Sequence, residues 1–469
     1  MNWSKYLSEQ RIRKSGREIP KEDSVDQRTP FESDFGRAMF CSAIRRMHDK
    51  TQVIPLTNGD KIHTRLTHSM EVMGIAESLG LHICRNKKFK EKFKDVDLTD
   101  LERKITTIIK TAGLLHDIGN PPFGHFGETI IQEHFSKKGL YSDFLHEPEF
   151  LDYAHFDGNA QGFRILTKLQ FLNDLYGLNL TFATLGAYLK YPNYGKPDKS
   201  TLATKKHGVF TTEKEYLEKI ADACGLRCAD GSIKRHPLSF LVEAADSICY
   251  YTMDIEDGYE MGWYKVNDVV SEIKKYLKDK EINIESESLN KLLAIDERKS
   301  DRHNMVTFRI NMIAYLIEKA VTNFIDNIDN IDNGTYYYEL IEDDDMLIVE
   351  ALKVFAKKYI FNQPIVVKAE LTGHQVLSGL INYLYIYITH PNNEYRKRVK
   401  HILSKTACKI SFFEHESLEN KEVDILTLFD NDFDKLKPTA KLRLIIDHIS
   451  GMTDKYAVSL YQELSGMSL

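Results

Sequence analysis

The chain has 469 residues, 42% of them hydrophobic and 28% charged, with 63 Lys and Arg against 69 Asp and Glu for a net charge of −6. Such a composition excludes disorder and collagen-like repeats, and the length suffices to bury a large core. The slightly acidic balance argues against a protein whose main task is gripping duplex DNA, because phosphate neutralisation needs a basic excess.

Taken in chain order, residues 1–16 hold no apolar run and no small-residue cleavage site, so no secretory signal is expected. Residues 51–56 read as a short strand, with 208–212 as a second and the pair as possible arms of a small hairpin. Thr67 is positioned to cap a helix running through Met70, Ile75, Ala76 and Leu79. Ile105, Ile108, Ile109, Ala112 and Leu115 follow helical spacing until Gly119-Asn120-Pro121-Pro122 stops the helix. Residues 192–206, rich in Lys, Pro and Gly, read as a surface loop. A helix is predicted over 238–254 with a break near Gly258. Residues 326–334 form an Asp/Asn-rich linker, followed by an acidic run at 342–345 that reads as a solvated face. Amphipathic helical stretches recur at 310–327, 347–358, 374–389 and 437–449. The longest apolar stretch, 376–388, falls short of the ~20 residues of a membrane-spanning helix. The six cysteines are scattered without a CxxC pair, so reduced thiols and a cytoplasmic location are expected. These readings divide the chain near 330, into a catalytic region (1–330) and a C-terminal helical region (331–469).

The strongest chemical signal is His116-Asp117 at the end of the Ile105 helix. His68 stands 48 residues earlier at the start of one helix, and Asp246 stands 129 residues later on another, beside Ala244-Ala245. Burying His and Asp side by side without partners costs several kcal/mol, and a divalent metal bonding both removes that cost. Two imidazoles and two carboxylates suit Mn²⁺, Fe²⁺, Zn²⁺ or Mg²⁺, with positions left for water and a phosphate oxygen. The plainer reading of the same residues is satisfied core histidines and salt-bridged aspartates.

His68, His116-Asp117 and Asp246 match the H…HD…D signature of HD-domain phosphohydrolases. Four longer strings carry the resemblance further: Thr64-Arg65-Leu66-Thr67-His68-Ser69, His116 through His125, Phe156-Asp157-Gly158-Asn159-Ala160-Gln161-Gly162, and Glu243 through Tyr250. With Ser450-Gly451-Met452-Thr453-Asp454, they make the chain resemble the bacterial deoxyguanosine triphosphate triphosphohydrolase (dGTPase) family from about residue 28 to 457. The resemblance implies an all-α HD-domain core, with the small hairpin and a C-terminal helical region that completes the fold and its oligomer contacts. It implies hydrolysis of a deoxynucleoside triphosphate (dNTP), dGTP or several dNTPs, to deoxynucleoside and inorganic triphosphate.

Carried over by motif, His68, His116, Asp117 and Asp246 would hold the metal, with Mn²⁺ or Mg²⁺ favoured and Fe²⁺, Zn²⁺, Ni²⁺ or Co²⁺ as alternatives. His125 would be catalytic, assisted by Glu128. Arg65, Lys190 and Tyr191 would face the polyphosphate, and Gln52, Tyr250 and Asp254 the sugar. Asn120 and Ser247 depart from the vertebrate branch, and Asp157 stands where Glu is expected. The resemblance also implies a homo-oligomer, with a hexamer favoured, and single-stranded DNA or a nucleotide as activator; Tyr395 to Arg398 is a candidate basic contact. No membrane partner is expected. Two other readings of the scaffold are a 5′-nucleotidase or phosphodiesterase, and a non-catalytic nucleotide sensor that binds single-stranded nucleic acid.

Overall fold

The computed structural model describes residues 3–12, 26–54, 56, 62–94, 96–136, 147–170, 176–342, 347–416 and 433–467. The fold is all-α, as expected. The expected hairpin is not formed: among the described residues the β-structure consists of two isolated antiparallel bridges, Thr51 with Thr64 and Arg227 with Ile233. Pro55 of the first segment lies outside the described residues. The second segment bonds to a loop and a helix side chain instead, with the Gly208 N–H donating to Asn193 O at 3.0 Å and the Thr211 N–H to Asp152 Oδ2 at 3.0 Å. Those bonds leave no ladder for a partner strand.

Three helices form the centre. Arg65–Arg85 and Leu98–Leu115 pack against each other, and Pro237–Glu260 lies against both. Thr64, rather than Thr67, caps the first of these. The Thr67 N–H donates to Thr64 Oγ1 at 3.3 Å, and the Thr64 N–H donates back to Thr67 Oγ1 at 2.9 Å. This reciprocal capping box satisfies two orphan donors. It starts the helix at Arg65, so Arg65 and His68 share one face. Asp97 caps the second helix by accepting the Thr99 N–H at 2.9 Å. Pro237 opens the third, where its missing N–H costs nothing. That helix runs past Gly258 to Glu260; Gly258 makes room for the Tyr264 hydroxyl, from which a Cβ would lie 2.3 Å, rather than breaking the helix.

Buried apolar side chains fall into two clusters. The first joins Val72, Ala76 and Leu79 with Ile105, Ile108, Ala112, Leu241, Ala245 and Ile248, and extends as far as Ile360. The second joins Phe123, Ile130, Ile131 and Phe135 of the Gly124–Ser136 helix with Val376 to Leu384 and Leu442 to Ile446. These C-terminal residues lie on the Pro364–Ile388 and Pro438–Ser450 helices. Arg164, fully buried, ties distant segments of the chain together: its guanidinium donates to Glu213 Oε1 at 2.7 Å and Asp447 Oδ2 at 2.9 Å. The Asp/Asn-rich stretch expected as a linker contains a helix, Ile328–Asn333, because Ile328 and Ile331 fall on one buried face. Of the acidic run, residues 343–345 lie outside the described residues. No helix among the described residues is long and apolar enough to cross a membrane.

Candidate metal and phosphoryl-transfer site

The three central helices bring His68, His116 and Asp246 together. One ligand atom from each lies within 4.8 Å of the others. His68 Nε2 is 3.1 Å and His116 Nε2 is 3.3 Å from Asp246 Oδ1. His116 ends its helix, and its Nδ1–H donates to Gly113 O at 2.7 Å. That bond keeps a proton on Nδ1 and leaves Nε2 to take a proton or a cation. This buried Nε2 has no hydrogen-bond partner, which fits a metal ligand oriented by its second nitrogen. Burial opposes charge on His116, but Asp117 and Asp246 outweigh it and hold its proton affinity well above the usual imidazole range. Burial also works against the Asp246 carboxylate, and His116 and His68 more than compensate, so it stays ionised. The same field favours a divalent cation.

Asp117 stands beside this triad rather than within it. Its Oδ1 is 3.5 Å from His116 Nε2 and accepts the Asn120 amide at 2.7 Å. Its Oδ2 pairs with the Arg65 guanidinium. Burial raises the Asp117 carboxyl, but Arg65 and then His116 pull it well below the usual range. Arg65, expected to face phosphate, is 3% exposed and already holds this carboxylate, though it still lines the cleft.

His125 follows a turn with two consecutive left-handed residues, Phe123 at φ 63° and Gly124 at φ 59°. A non-glycine residue held there costs about 1–2 kcal/mol. Gly124 escapes that cost, and a Cβ on it would lie 2.5 Å from the Arg65 guanidinium. The His125 side chain is 71% exposed, and its Nδ1–H donates to Glu128 Oε2 at 2.9 Å. Glu128 is anchored in turn, with Oε1 accepting the Gly158 N–H at 2.6 Å. A Cβ on Gly158 would stand 2.1 Å from Asn120 Oδ1 and 2.7 Å from Glu128 Oε1, so only glycine fits between them. Glu128 raises the pKa of His125 by its charge and its hydrogen bond. Burial pushes Glu128 up, and His125 brings it below its ordinary value.

One cleft joins these groups. Gln52, Arg65, His116, Asp117, His125, Lys190, Tyr191, Asp246 and Tyr250 all line it. Gln52 Oε1 is buried without a partner. Lys190 Nζ is 3.3 Å from Glu243 Oε1, and Arg235 holds the other oxygen of Glu243 at 2.7 Å. Tyr250 presents a ring stacked at 6.2 Å on Phe361. Asp254 is not among the lining residues: it lies one turn deeper, 2% exposed, with Oδ2 unpartnered. Burial chiefly, with Asp257 adding, raises its pKa well above the carboxylate range.

The cleft also contains side chains to which the sequence reading assigned no role, namely Asn120, Asn159 and Lys206. Lys206 ends the segment expected to be a surface loop. Its Nζ is 3.1 Å from Asp157 Oδ2, and Asp157 and Glu128 hold its charge against burial. The signal was present in Phe156-Asp157-Gly158-Asn159, which the family resemblance marks. What sequence spacing lacks is the long-range pairing that brings a Lys from the far end of a loop onto that string. Of the candidate basic contact, Arg396 NH1 donates to Pro391 O at 3.0 Å and so stays with its own loop.

Known proteins resemble the chain over its whole length. The family model described as HD domain matches residues 65–150, and the phosphohydrolase-associated domain matches residues 412–463. A deoxyguanosinetriphosphate triphosphohydrolase-like protein of Listeria monocytogenes is 33% identical over 100% of both chains. Its counterpart in Synechocystis is 32% identical, again over 100% of both. The deoxyguanosinetriphosphate triphosphohydrolase of Salmonella typhimurium is 31% identical over 92% of this chain and 93% of its own.

Proposed function

The chain belongs to the deoxyguanosinetriphosphate triphosphohydrolase-like family of HD-domain phosphohydrolases, and from that premise we propose that it hydrolyses dNTPs to deoxynucleoside and inorganic triphosphate. The observation that carries the reading is a single cleft lined by His116, Asp117, Asp246, His125 and two lysines, with His68 and Glu128 directly behind it against Asp246 and His125. His68, His116 and Asp246, with Asp117 alongside, would hold a divalent cation, Mn²⁺ or Mg²⁺ in this reading. Bound there, it would supply charge at the phosphoryl oxygen and a more acidic water.

The protein's own groups account for the rest. Lys190 and Lys206 bind the polyphosphate as point charges and orient its α-phosphorus. Water adds to that phosphorus, the bond to the 5′-oxygen breaks, and the leaving alkoxide takes a proton. His125 sits at the mouth with its Nε2 directed away from Glu128, and it handles that proton. Glu128 keeps the Nδ1 proton in place and stabilises the charged imidazole. Gln52 holds the sugar 3′-hydroxyl with its unpartnered oxygen. Tyr250 closes against the 2′-carbon face, where an added hydroxyl would be crowded and desolvated. Asp254, one turn deeper, supports this wall rather than forming it. Two lysines in one cleft favour a triphosphate over the monophosphate of a 5′-nucleotidase. Six free thiols support a reducing compartment, the cytoplasm.

The test is a panel of dNTPs, NTPs and dNMPs with each of several divalent metals, the products separated by chromatography. Deoxynucleoside with intact triphosphate is expected. Release of orthophosphate, or of pyrophosphate with a monophosphate, contradicts the reading.

A further inference from the structure

The string Ser450-Gly451-Met452-Thr453-Asp454 has no part in the chemistry above, yet it reaches the turn that presents His125. Asp454 is 2% exposed and accepts two backbone N–H groups from separate segments. Phe123 donates to its Oδ1 at 3.0 Å, and Thr51 to its Oδ2 at 2.9 Å. Next to Thr51, Lys50 is 3% exposed. Its Nζ donates to Asn120 O at 2.5 Å and to Ser450 O at 2.8 Å. Four hydrogen bonds therefore join residues 50–51, 120–123 and 450–454.

Each bond bears on the site. Phe123 holds a left-handed conformation that persists only where its surroundings over-determine it. Asp454 fixes its N–H, and His125 follows two residues later. Asn120, whose carbonyl Lys50 grips, uses its side chain to orient Asp117 at 2.7 Å. Asp454 is also the first residue of the Asp454–Leu464 helix, where a carboxylate is favoured by the helix dipole. Arg46, Asp454, Arg65 and Asp117 face Lys50; burial chiefly, with Arg46 adding, brings its pKa down to about 7. A neutral amine still carries two N–H donors for the two carbonyls, so the contacts hold across neutral pH.

We propose that the 450–454 segment, through Asp454 and Lys50, clamps the 120–125 turn and sets the position of His125. Lys50 and Asp454 are positioning residues, and their kinetic role rests on the reading of His125 as the proton-transfer group. The clamp is what the C-terminal region contributes to the site of its own chain.

The test uses the full-length chain. Asp454→Asn replaces one acceptor oxygen with a donor, so one of its two backbone bonds is lost. Amide hydrogen exchange over residues 118–127, measured without substrate, is expected to accelerate, with the 98–115 helix unchanged. On dNTP, kcat is expected to fall roughly ten- to a hundred-fold from displacement of His125, with KM and metal content unchanged. In a His125→Ala background the same substitution is expected to cost nothing further, because groups acting as a unit are non-additive. Lys50→Gln is the second variant and decides alone if Asp454→Asn does not fold. Wild-type exchange over 118–127 in folded variants overturns the clamp. A wild-type protein inert toward every dNTP overturns the functional reading instead, and the exchange result still decides the clamp.

Discussion

The two buried clusters contribute differently to the site. The first cluster carries the ligand triad on long helices, and each ligand is fixed by the packing of its own helix. The second cluster carries His125 and Glu128 at the start of a shorter helix, after a strained turn held by C-terminal residues. In the proposed mechanism, metal binding therefore depends on the rigidity of the first cluster, and proton transfer on the alignment of the second against it. A substitution should separate the two functions according to the cluster it touches.

Asp246→Ala breaks the first side outright. It is expected to abolish bound metal and dNTP turnover while leaving the helical circular dichroism intact. Full metal occupancy in that variant, by elemental analysis, contradicts the ligand assignment. His125→Ala breaks only the second side. It is expected to lower kcat by about 10²–10⁴ with metal retained, and a drop of only a few-fold would reduce His125 to a loop residue. Glu128→Gln sharpens this result. Glu128 holds the His125 pKa up, so its neutral replacement lowers that pKa. The alkaline limb of the pH–rate profile then moves to lower pH if the protonated imidazole is the working form.

Asp447→Ala attacks the tie at Arg164. Glu213 and Glu414 still pair with Arg164, but the Arg164 Nε–H and the Gln161 amide lose their acceptor, which is expected to cost about 1–3 kcal/mol, read by denaturant unfolding. A cost under about 1 kcal/mol would show that Glu213 and Glu414 suffice for Arg164. Tyr250→Ala tests the sugar wall. Crowding and desolvation of a 2′-hydroxyl are worth about 1–3 kcal/mol, so relative turnover of GTP is expected to rise. Similar kcat/KM for GTP and dGTP in the wild type contradicts the wall.

A last effect concerns stability beside the first cluster. His63 donates to Asp257 at 2.7 Å and to Glu71 at 3.1 Å. Burial opposes its charge, but those carboxylates raise its pKa to about 10. Its unfolded value is ~6.5, so its stabilisation is complete below that pH and is lost as pH rises toward 10. The Tm difference between wild type and His63→Gln is therefore expected to shrink as pH rises from 6.5 to 10. A constant difference contradicts the charged pair.

The sequence makes the first cluster far more legible than the second. Helical spacing of Ile105, Ile108, Ala112 and Leu115 locates the His116 helix, and small residues beside Asp246 mark its close approach. The error at Thr67 was one of register, because Thr64 offers an equally good cap. Residues 192–206 form the largely exposed loop their composition predicts, but composition does not show that Lys206 at its end turns into the cleft. Its contact with Asp157 depends on long-range folding that no local pattern encodes. The hairpin failed for a related reason. Alternating residues at 51–56 and 208–212 found loop and carboxylate partners before each other. The 450–454 string was visible as a resemblance, but its bonds to Phe123 and Asn120 exist only once the two clusters meet.

The most direct test of the central claim is hydrolysis of dGTP in ¹⁸O water with Mn²⁺ or Mg²⁺, with both products analysed by mass spectrometry. Attack at the α-phosphorus with loss of the 5′-oxygen predicts one ¹⁸O in inorganic triphosphate and none in deoxyguanosine. Label in deoxyguanosine, or label in orthophosphate or pyrophosphate released beside a nucleotide, would contradict the account.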